Sequence, residues 1–371
     1  MKRVCAGAIA LCLVFGCNSP QGPIRIGLAG PLADAVGRPM RLAAEMAVAE
    51  INAGGGIEGR PLELSERDDA GDPDSAVQVA ADLTRLGVVA VIGHVFSGTT
   101  LAAAPIYADA PAPVPVITPS SSAPEVAQAG NHVFRLCPTD LEHGAALATW
   151  IRSGLGLDRG AVLYLNNPYG RGIRQAFVTR LEAMGGVVIE SDPYLGATPD
   201  VGPYLDRIAA SGTAQFLVVA GNREDATVIL TQARARGITL PVLGGDGLEG
   251  IEAAGSLAEG VYATAAYLPG LDTPENQRFV RAYRARYPEA GAPNQPAAAS
   301  YDAVYLLRDV IRARGATRRD IREGLAVLGD ELPPHQGVTG VLAFDGRGGL
   351  ARMPVLISVI RNGDVALAKR P

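Results

Sequence analysis

The chain has few cysteines, few aromatic residues and no excess of positive charge. Only four cysteines occur in 371 residues, and three of them fall within the first 17. The net charge is −5 at pH 7, which argues against a nucleic-acid partner because phosphate backbones are bound by basic surfaces. The four histidines show no metal-ligand spacing. We therefore expect no bound metal and no cofactor.

Motifs of several catalytic classes are also missing. No serine lies in a Gly-x-Ser-x-Gly elbow, and Gly54–Gly59 lacks the Lys-Ser/Thr of a phosphate-binding loop. No G-x-G-x-x-G follows the first predicted strand, so the dinucleotide-binding fingerprint is absent. The acidic pair Asp68 and Asp69 is explained by turn capping before Pro73. The sequence therefore predicts a protein that is not an enzyme.

The first residues have the pattern of an export signal. A short basic start precedes the apolar run Val4–Phe15, which is too short to span a membrane. Cys17 follows a glycine, and this junction resembles a bacterial lipobox in which the cysteine is acylated; the alternative is a plain signal peptide cut nearby. We predict a signal peptide over 1–16, a lipid-anchored linker over 17–22 and a membrane-anchored location in the periplasm or at the cell surface.

The remaining cysteine, Cys137, has no partner once the signal is removed and Cys17 is acylated. We therefore expect no intramolecular disulfide in the mature protein, although it is exported. The mature chain is too long for one typical core and long enough for two. Strand-like and helix-like segments alternate in two series, separated by a looser segment at Ser120–Pro138. This alternation predicts an α/β fold with two doubly wound, Rossmann-like lobes.

The most informative stretch of the first series runs from residue 88 to residue 125. Two apolar runs, Val88–Ile92 and Val114–Ile117, read as buried strands, and each ends in a Ser/Thr-rich turn. Ser97 lies in the first turn, and Ser120 and Ser122 lie in or next to the second. Parallel strands would bring both turns to one sheet edge, where backbone N–H groups and hydroxyls favour a small anion such as a carboxylate. Such serines also occur as ordinary helix N-caps.

Two polar turns of the second series are predicted to lie at the corresponding edge of the other sheet. Tyr169 follows a strand in Asn-Asn-Pro-Tyr-Gly, and Asp246 follows another in Gly-Gly-Asp-Gly. An acid at this position either caps a helix or pairs with a ligand ammonium. If one lobe binds a carboxylate and the other an ammonium, the cleft between them fits an α-amino acid.

These stretches together resemble the leucine/isoleucine/valine-binding protein family of ABC importers. The matching segments, in order along the mature chain, are 47–57 (AVAEINAGGGI), 68–77 (DDAGDPDSAV), 91–99 (VIGHVFSGT), 117–125 (ITPSSSAPE), Tyr169-Gly170, 232–234 with Gly237, Asp246-Gly247 and 258–260. The resemblance implies a type I periplasmic-binding fold, which is a Venus flytrap whose lobes are joined by a three-strand hinge. It places 23–139 plus 267–349 in lobe 1 and 140–266 plus 350–371 in lobe 2.

The resemblance also implies roles for individual residues. The ligand carboxylate is expected at Ser97 and Ser122. The ammonium is expected at the Ser120 carbonyl, the Ser122 hydroxyl and Asp246. The residues implied to line the cleft are Tyr169 and Gly247.

This chain departs from the family pattern at several of its positions. Gly71 and Phe96 stand where the family has a disulfide in its first lobe. Aromatic residues that cover the ligand side chain are replaced by Val36 and Asn222, and we place Asn222 in the ligand pocket. Asp246 is shorter than the usual glutamate. The amino-acid end groups are therefore expected to be bound as in the family, while the side-chain pocket differs.

We predict a monomeric solute-binding lipoprotein that binds an amino acid of the branched-chain type or a relative. It would deliver this small molecule to an ABC permease by closing its lobes on the ligand. The alternative on the same fold is a sensor for an amide, urea, or an aromatic or other organic acid.

Overall fold

A computed structural model describes residues 22–196 and 200–369 of the chain. The described strands are β1 (Ile24–Gly30), β2 (Leu62–Asp68), β3 (Ala90–Ile92), β4 (Val116–Thr118), β5 (Val133–Arg135), β6 (Arg159–Leu165), β7 (Val187–Tyr194), β8 (Phe216–Ala220), β9 (Val242–Gly244), β10 (Tyr262–Ala265), β11 (His335–Gln336), β12 (Val341–Leu342), β13 (Leu356–Arg361) and β14 (Asp364–Leu367). The described α-helices are α1 (Gly37–Ala53), α2 (Pro73–Arg85), α3 (Ser97–Ala108), α4 (Asp140–Thr149), α5 (Pro168–Ala183), α6 (Gly202–Ser211), α7 (Arg223–Ala235), α8 (Pro274–Arg286), α9 (Gln295–Arg314) and α10 (Arg318–Ala326).

Two large sheets contain most of these strands. The first sheet has the order β2-β1-β3-β4-β5, and all of its strands are parallel. The second has the order β14-β13-β10-β9-β8-β6-β7; the five strands from β10 to β7 are parallel, and β13 and β14 are antiparallel additions. The predicted α/β class with parallel sheets is confirmed. Its physical basis is that parallel neighbours need a crossover long enough to hold a helix.

Each sheet packs against its own helices. The core of the first sheet joins strand residues such as Ile26 and Leu28 to α9 residues such as Leu307, all fully buried. The core of the second sheet joins Leu163 and Val219 to Ile229 of α7. The chain passes between the two groups three times: between β5 and α4, between β10 and α8, and before β13. The lobe boundaries at single-residue precision stay a prediction.

The segment predicted to be looser, Ser120–Pro138, contains strand β5 at its centre. β5 is only three residues long and is the outermost strand of the first sheet, where it pairs with β4. A strand this short gives too little alternation to be recognised in a sequence. The helix predicted after the first Ser/Thr turn also begins earlier than expected, because α3 starts at Ser97 itself.

Cys137 is buried and is a free thiol in the part of the chain that the structure describes. Gly71 and Phe96, at the positions of the family disulfide, pack against each other instead: a Cβ on Gly71 would lie 2.9 Å from the Phe96 ring. The predicted signal peptide and the acylation candidate Cys17 lie outside the described residues. Among the described helices, none is both long and apolar enough to cross a membrane.

Candidate functional site

The two Ser/Thr turns of the first sheet lie side by side, as the parallel strands predicted. Ser97 is the first residue of α3, and its hydroxyl accepts a hydrogen bond from the Ala123 backbone N–H at 3.1 Å. This bond joins the start of α3 to the turn that follows β4. Ser97 and Ser122 are almost fully buried, whereas Ser120 is partly exposed.

The backbone carbonyl of His94 holds both turns in place. It accepts hydrogen bonds from Thr118 Oγ1 at 2.6 Å, from Thr100 Oγ1 at 3.2 Å and from Ser121 Oγ at 3.3 Å. The His94 side chain is fixed in turn by Asp69, whose Oδ2 lies 2.5 Å from Nδ1. These hydroxyls are therefore used for internal structure, and the edge of the first sheet is rigid before any ligand arrives.

Ser122 occupies the boundary between the two groups of elements. Its carbonyl accepts a hydrogen bond from the backbone N–H of Asp140, the first residue of α4, at 2.9 Å. Its buried hydroxyl makes no hydrogen bond of standard geometry to any described residue. Burial raises the pKa of the nearby Asp140 carboxyl well above its usual range. The Ser122 hydroxyl is close enough to this carboxyl to oppose part of that rise.

Tyr169, Asp246 and Gly247 form a compact cluster at the edge of the second sheet. The Tyr169 hydroxyl donates to Asp246 Oδ1 at 2.9 Å and accepts from the Gly247 N–H at 2.8 Å. Burial, with the Asp246 charge as the next cause, raises the pKa of Tyr169 well above its usual value, so the phenol stays a donor. A Cβ on Gly247 would lie 2.5 Å from the Gly221 carbonyl oxygen, which explains why glycine stands there.

His143 is a residue of this cluster that the sequence analysis did not place. Its Nε2 lies 3.5 Å from Asp246 Oδ2, while Nδ1 lies 2.9 Å from Thr264 Oγ1. Asp246 thus has the tyrosine on one carboxylate oxygen and the imidazole near the other. The signal that could have located His143 is the Thr139-x-x-Glu142 capping box, which fixes the start of α4 at Asp140, three residues before His143.

Asn222 has a structural role at the start of α7. Its side-chain oxygen accepts the backbone N–H of Asp225 at 2.8 Å, so it serves as the N-cap of α7. The capping role uses the side-chain oxygen and leaves the amide nitrogen for other contacts.

A cavity of about 270 Å³, which we call the cleft cavity, lies between the two groups of elements. From the first group it is lined by Val36, Ser120 and the start of α9, and from the second by Asp246 and the residues that follow it. Ser120 and Asp246 are the two predicted site residues on its wall. The other five, Ser97, Ser122, Tyr169, Asn222 and Gly247, are not among the residues that line it.

Glu249 joins the two sides of the cleft cavity. Its Oε1 accepts the backbone N–H of Gln295, at the start of α9, at 2.7 Å. Burial raises the pKa of Glu249 to about 8, and the Gln295 N–H opposes this rise. Neither residue was singled out from the sequence, because the contact joins positions 46 residues apart.

The electrostatic character of the site is that of an organic-ligand site. No group of three or more His, Cys, Asp or Glu side chains within residues 22–196 and 200–369 is arranged to hold a metal ion. The cleft cavity has Ser120 and the start of α9 on one side, and the carboxyl groups of Asp246, Glu249 and Glu252 with Arg223 on the other. Groups of both charge signs on one wall can pair with a small ligand that carries both charges.

Comparison with known proteins gives one consistent family. A family model described as periplasmic binding protein matches residues 23–364. The leucine-, isoleucine-, valine-, threonine- and alanine-binding protein of Pseudomonas aeruginosa is 32% identical over 336 residues, covering 88% of this chain and 87% of that protein. The Leu/Ile/Val-binding protein of Escherichia coli K12 is 31% identical over 270 residues, covering 71% and 72%.

Solved structures agree with these relatives. The branched-chain amino acid transporter substrate-binding protein LivJ of Streptococcus pneumoniae, in complex with isoleucine, superposes with a TM-score of 0.83 at 28% identity, covering 92% of this chain and 97% of that one. A solute-binding protein of an ABC transporter from R. palustris, in complex with benzoate, has a TM-score of 0.82 at 21% identity, covering 93% and 95%. The second likeness concerns the fold alone. The resemblance inferred from the motifs is confirmed.

Proposed function

The chain belongs to the periplasmic binding protein family, and on that premise we propose that it is the solute-binding component of an ABC importer and binds an amino acid in the cleft cavity. The observation that carries the proposal is the Asp246 carboxylate on the cavity wall. Its Oδ1 is fixed by the Tyr169 hydroxyl, and its side chain is 14% exposed. A carboxylate held in this way on a cavity wall favours a cationic partner.

The opposite wall supplies what the other end group of an amino acid needs. Ser120 lies on that wall, and the buried Ser97 and Ser122 belong to the same pair of turns. Backbone N–H groups at the start of α3 add the positive end of a helix dipole. In this proposal the ligand carboxylate binds to Ser97 and Ser122, and its ammonium to the Ser120 carbonyl and Asp246.

Binding would work by closure of the two lobes. The three chain crossings leave few covalent connections between the two groups of elements, which permits a hinge motion. A ligand that contacts both walls binds the closed state better than the open one and shifts the population towards it. A permease that recognises the closed state would then receive only loaded protein.

The ligand class favoured here is the amino acid, and an aromatic or other organic acid without an ammonium is the second candidate. Such acids bind to R. palustris proteins of the same fold, one of them in complex with benzoate. Asp246 disfavours a ligand that carries only negative charge, because two like charges in a closed cleft repel each other.

The proposal is tested by mass spectrometry of small molecules released from the purified protein, followed by thermal-shift measurements with those molecules. An α-amino acid that raises the melting temperature and is recovered unchanged would support a binding protein without turnover. Release of an acid that lacks an amino group would replace the proposal by the second candidate. Chemical conversion of the ligand would show an enzyme.

We also propose that Cys17 is acylated and anchors a monomeric protein to a membrane, in the periplasm or at the cell surface. The basic start, the short apolar run and the glycine before Cys17 support this assignment. The Cys17→Ser variant should then fractionate as soluble protein, whereas the wild type should fractionate with membranes. A wild-type protein with an unacylated N-terminus would contradict the anchor and leave the ligand proposal untouched.

A further inference from the structure

The wall of the cleft cavity next to Asp246 carries three side chains with free acceptor oxygens. They are Glu249, Glu252 and Gln295. Glu252 Oε2 and Gln295 Oε1 are both inaccessible to solvent, and neither has a hydrogen-bond partner among the described residues. A buried acceptor left unpaired costs about 1–3 kcal/mol. A ligand that donates to these oxygens would remove that cost.

The orientation of Gln295 follows from its neighbour. Its Nε2 donates to the Pro119 carbonyl oxygen at 2.7 Å, and a carbonyl can only accept. The amide nitrogen must therefore face Pro119, and the amide oxygen points away from it. Gln295 is 5% exposed, so this oxygen depends on the cavity for a partner.

Asp246 and Glu249 are close in the chain and both line the cleft cavity. Asp246 begins a 3₁₀ turn over residues 246–248, and Glu249 is the residue directly after it. Their mutual repulsion and that of Glu252 contribute to the pKa of about 8 at Glu249, after burial.

Most of the remaining polar groups of the wall are engaged with protein partners. These groups and their partners are Asn294 with Val36 and Ala297, Tyr267 with Asn276, Thr264 with His143, and Ser358 with Ala263. Arg223, the cation on this wall, donates one N–H group to Glu224, and its charge lowers the pKa of Glu249. Apart from Arg223 and the Ser120 hydroxyl, the groups left for a ligand side chain are acceptors.

We infer that the bound amino acid carries a side chain ending in N–H donors, such as an ammonium, guanidinium or amide group, and that Glu249, Glu252 and Gln295 select it over an aliphatic side chain. This inference rests on the proposed function, since Asp246 and the serine turns would hold the end groups. The selected side chain would extend from Asp246 towards the start of α9. There it would satisfy the two unpaired oxygens, and a cationic side chain would also favour the ionised form of Glu249.

The test uses isothermal titration calorimetry with two pairs of amino acids of matched shape. Asparagine is nearly isosteric with leucine, and ornithine with norleucine, so each pair differs mainly in side-chain donors. The wild-type protein should bind the donor member of at least one pair about tenfold tighter or more. In the Glu249→Gln and Glu252→Gln variants that preference should shrink at least about threefold.

Glu249→Gln keeps an oxygen that can accept the Gln295 N–H, so it removes the ionisable carboxyl group and retains the contact. Glu182→Gln, at an exposed position of α5 outside the cavity wall, is the matched control and should leave both preferences unchanged. Melting temperatures verify that each variant is folded. The comparison of the donor and aliphatic amino acids on the wild-type protein tests the inference even if a variant does not fold. Equal or tighter binding of leucine and norleucine would overturn the inference while the amino-acid function stands. Failure of all four ligands, together with a released molecule that is not an amino acid, would overturn both.

Discussion

At the cleft, the first sheet presents hydroxyl and backbone groups that are bonded internally, which we call the neutral side, whereas the second sheet presents the Asp246 carboxylate, which we call the charged side. In the first, the His94 carbonyl alone receives three hydroxyl groups, and Ser97 caps the neighbouring turn. In the second, the Asp246 carboxylate is held by Tyr169 beside His143. The first edge therefore provides a rigid set of dipoles, and the second provides the charge that distinguishes one ligand end from the other.

This comparison predicts unequal consequences for substitutions on the two sides. The neutral side holds its ligand group by several donors, so the loss of one is partly compensated. The charged side depends on a single carboxylate for the ammonium. Its loss leaves one desolvated charge of the ligand unpaired.

The largest expected effect is that of Asp246→Asn. Amino-acid binding should weaken by about 2–5 kcal/mol, because the ligand ammonium would lose its charged partner. Calorimetric titration with the cognate ligand measures the loss. Asp330→Asn, at an exposed position far from the cavity wall, is a matched control and should bind as the wild type does. Unchanged affinity in Asp246→Asn would reduce that residue to a structural role and favour the organic-acid candidate.

A smaller effect is expected on the neutral side. Ser122→Ala should cost about 1–2 kcal/mol of binding free energy, since backbone N–H groups would still hold the carboxylate. Ser256→Ala, exposed in the second group of elements, is the control. The losses in Ser122→Ala and Asp246→Asn should not add in the double variant, because both act on one small ligand. A loss at Ser122 larger than that at Asp246 would reverse the proposed division between the lobes.

Tyr169→Phe should cost about 0.5–1.5 kcal/mol of binding free energy. The variant keeps the ring and removes the hydroxyl that fixes Asp246 Oδ1 and accepts the Gly247 N–H. Titration of this variant in the Asp246→Asn background sharpens the interpretation. If the Tyr169 hydroxyl acts through Asp246, adding Tyr169→Phe to Asp246→Asn should change the binding free energy little. If the double variant loses as much additional binding free energy as Tyr169→Phe costs alone, the hydroxyl contacts the ligand directly.

The smallest effect concerns pH. Burial raises the pKa of Glu249 from 4.5 to about 8, so between these values the folded protein binds a proton that the unfolded chain lacks. Stability from this group is therefore complete below about pH 4.5 and is lost as the pH rises through about 8. The melting temperature of Glu249→Gln minus that of the wild type should therefore increase between about pH 5 and about pH 8.5, by on the order of 2–4 °C.

The scan requires ligand-free protein, because a cationic ligand side chain would lower the pKa of Glu249. Glu182→Gln, exposed on α5, controls for the general effect of removing a carboxylate. A constant difference between Glu249→Gln and the wild type across this pH range would mean that Glu249 is ionised throughout.

Patterns of neighbouring residues predicted where the serine turns of the first sheet lie, but only some of the polar residues at the cleft side of the second sheet. The serine turns were predictable because a strand followed by a polar turn is a pattern of neighbouring residues. Tyr169 and Asp246 were predictable for the same reason. His143, Glu249 and Gln295 were not, because each acts through a contact with a distant part of the chain.

One difference in the fold has a local physical cause. Strand β5 escaped prediction because three residues in the outermost strand of a sheet give no measurable periodicity. The place of Asn222 in the ligand pocket, which follows from analogy with an aromatic position, stays a prediction. Its side-chain oxygen caps α7, as is common for an asparagine directly before a helical run.

The central claim, that Asp246 recognises an amino acid by its ammonium, is tested most directly by combining a change in the ligand with a change in the protein. An amino acid that binds and the same acid without its amino group would be titrated into the wild type and into Asp246→Asn. The wild type should prefer the amino acid by at least about 30-fold, and Asp246→Asn should lose most of that preference. Equal binding of both ligands to the wild type, or an undiminished preference in Asp246→Asn, would contradict the claim.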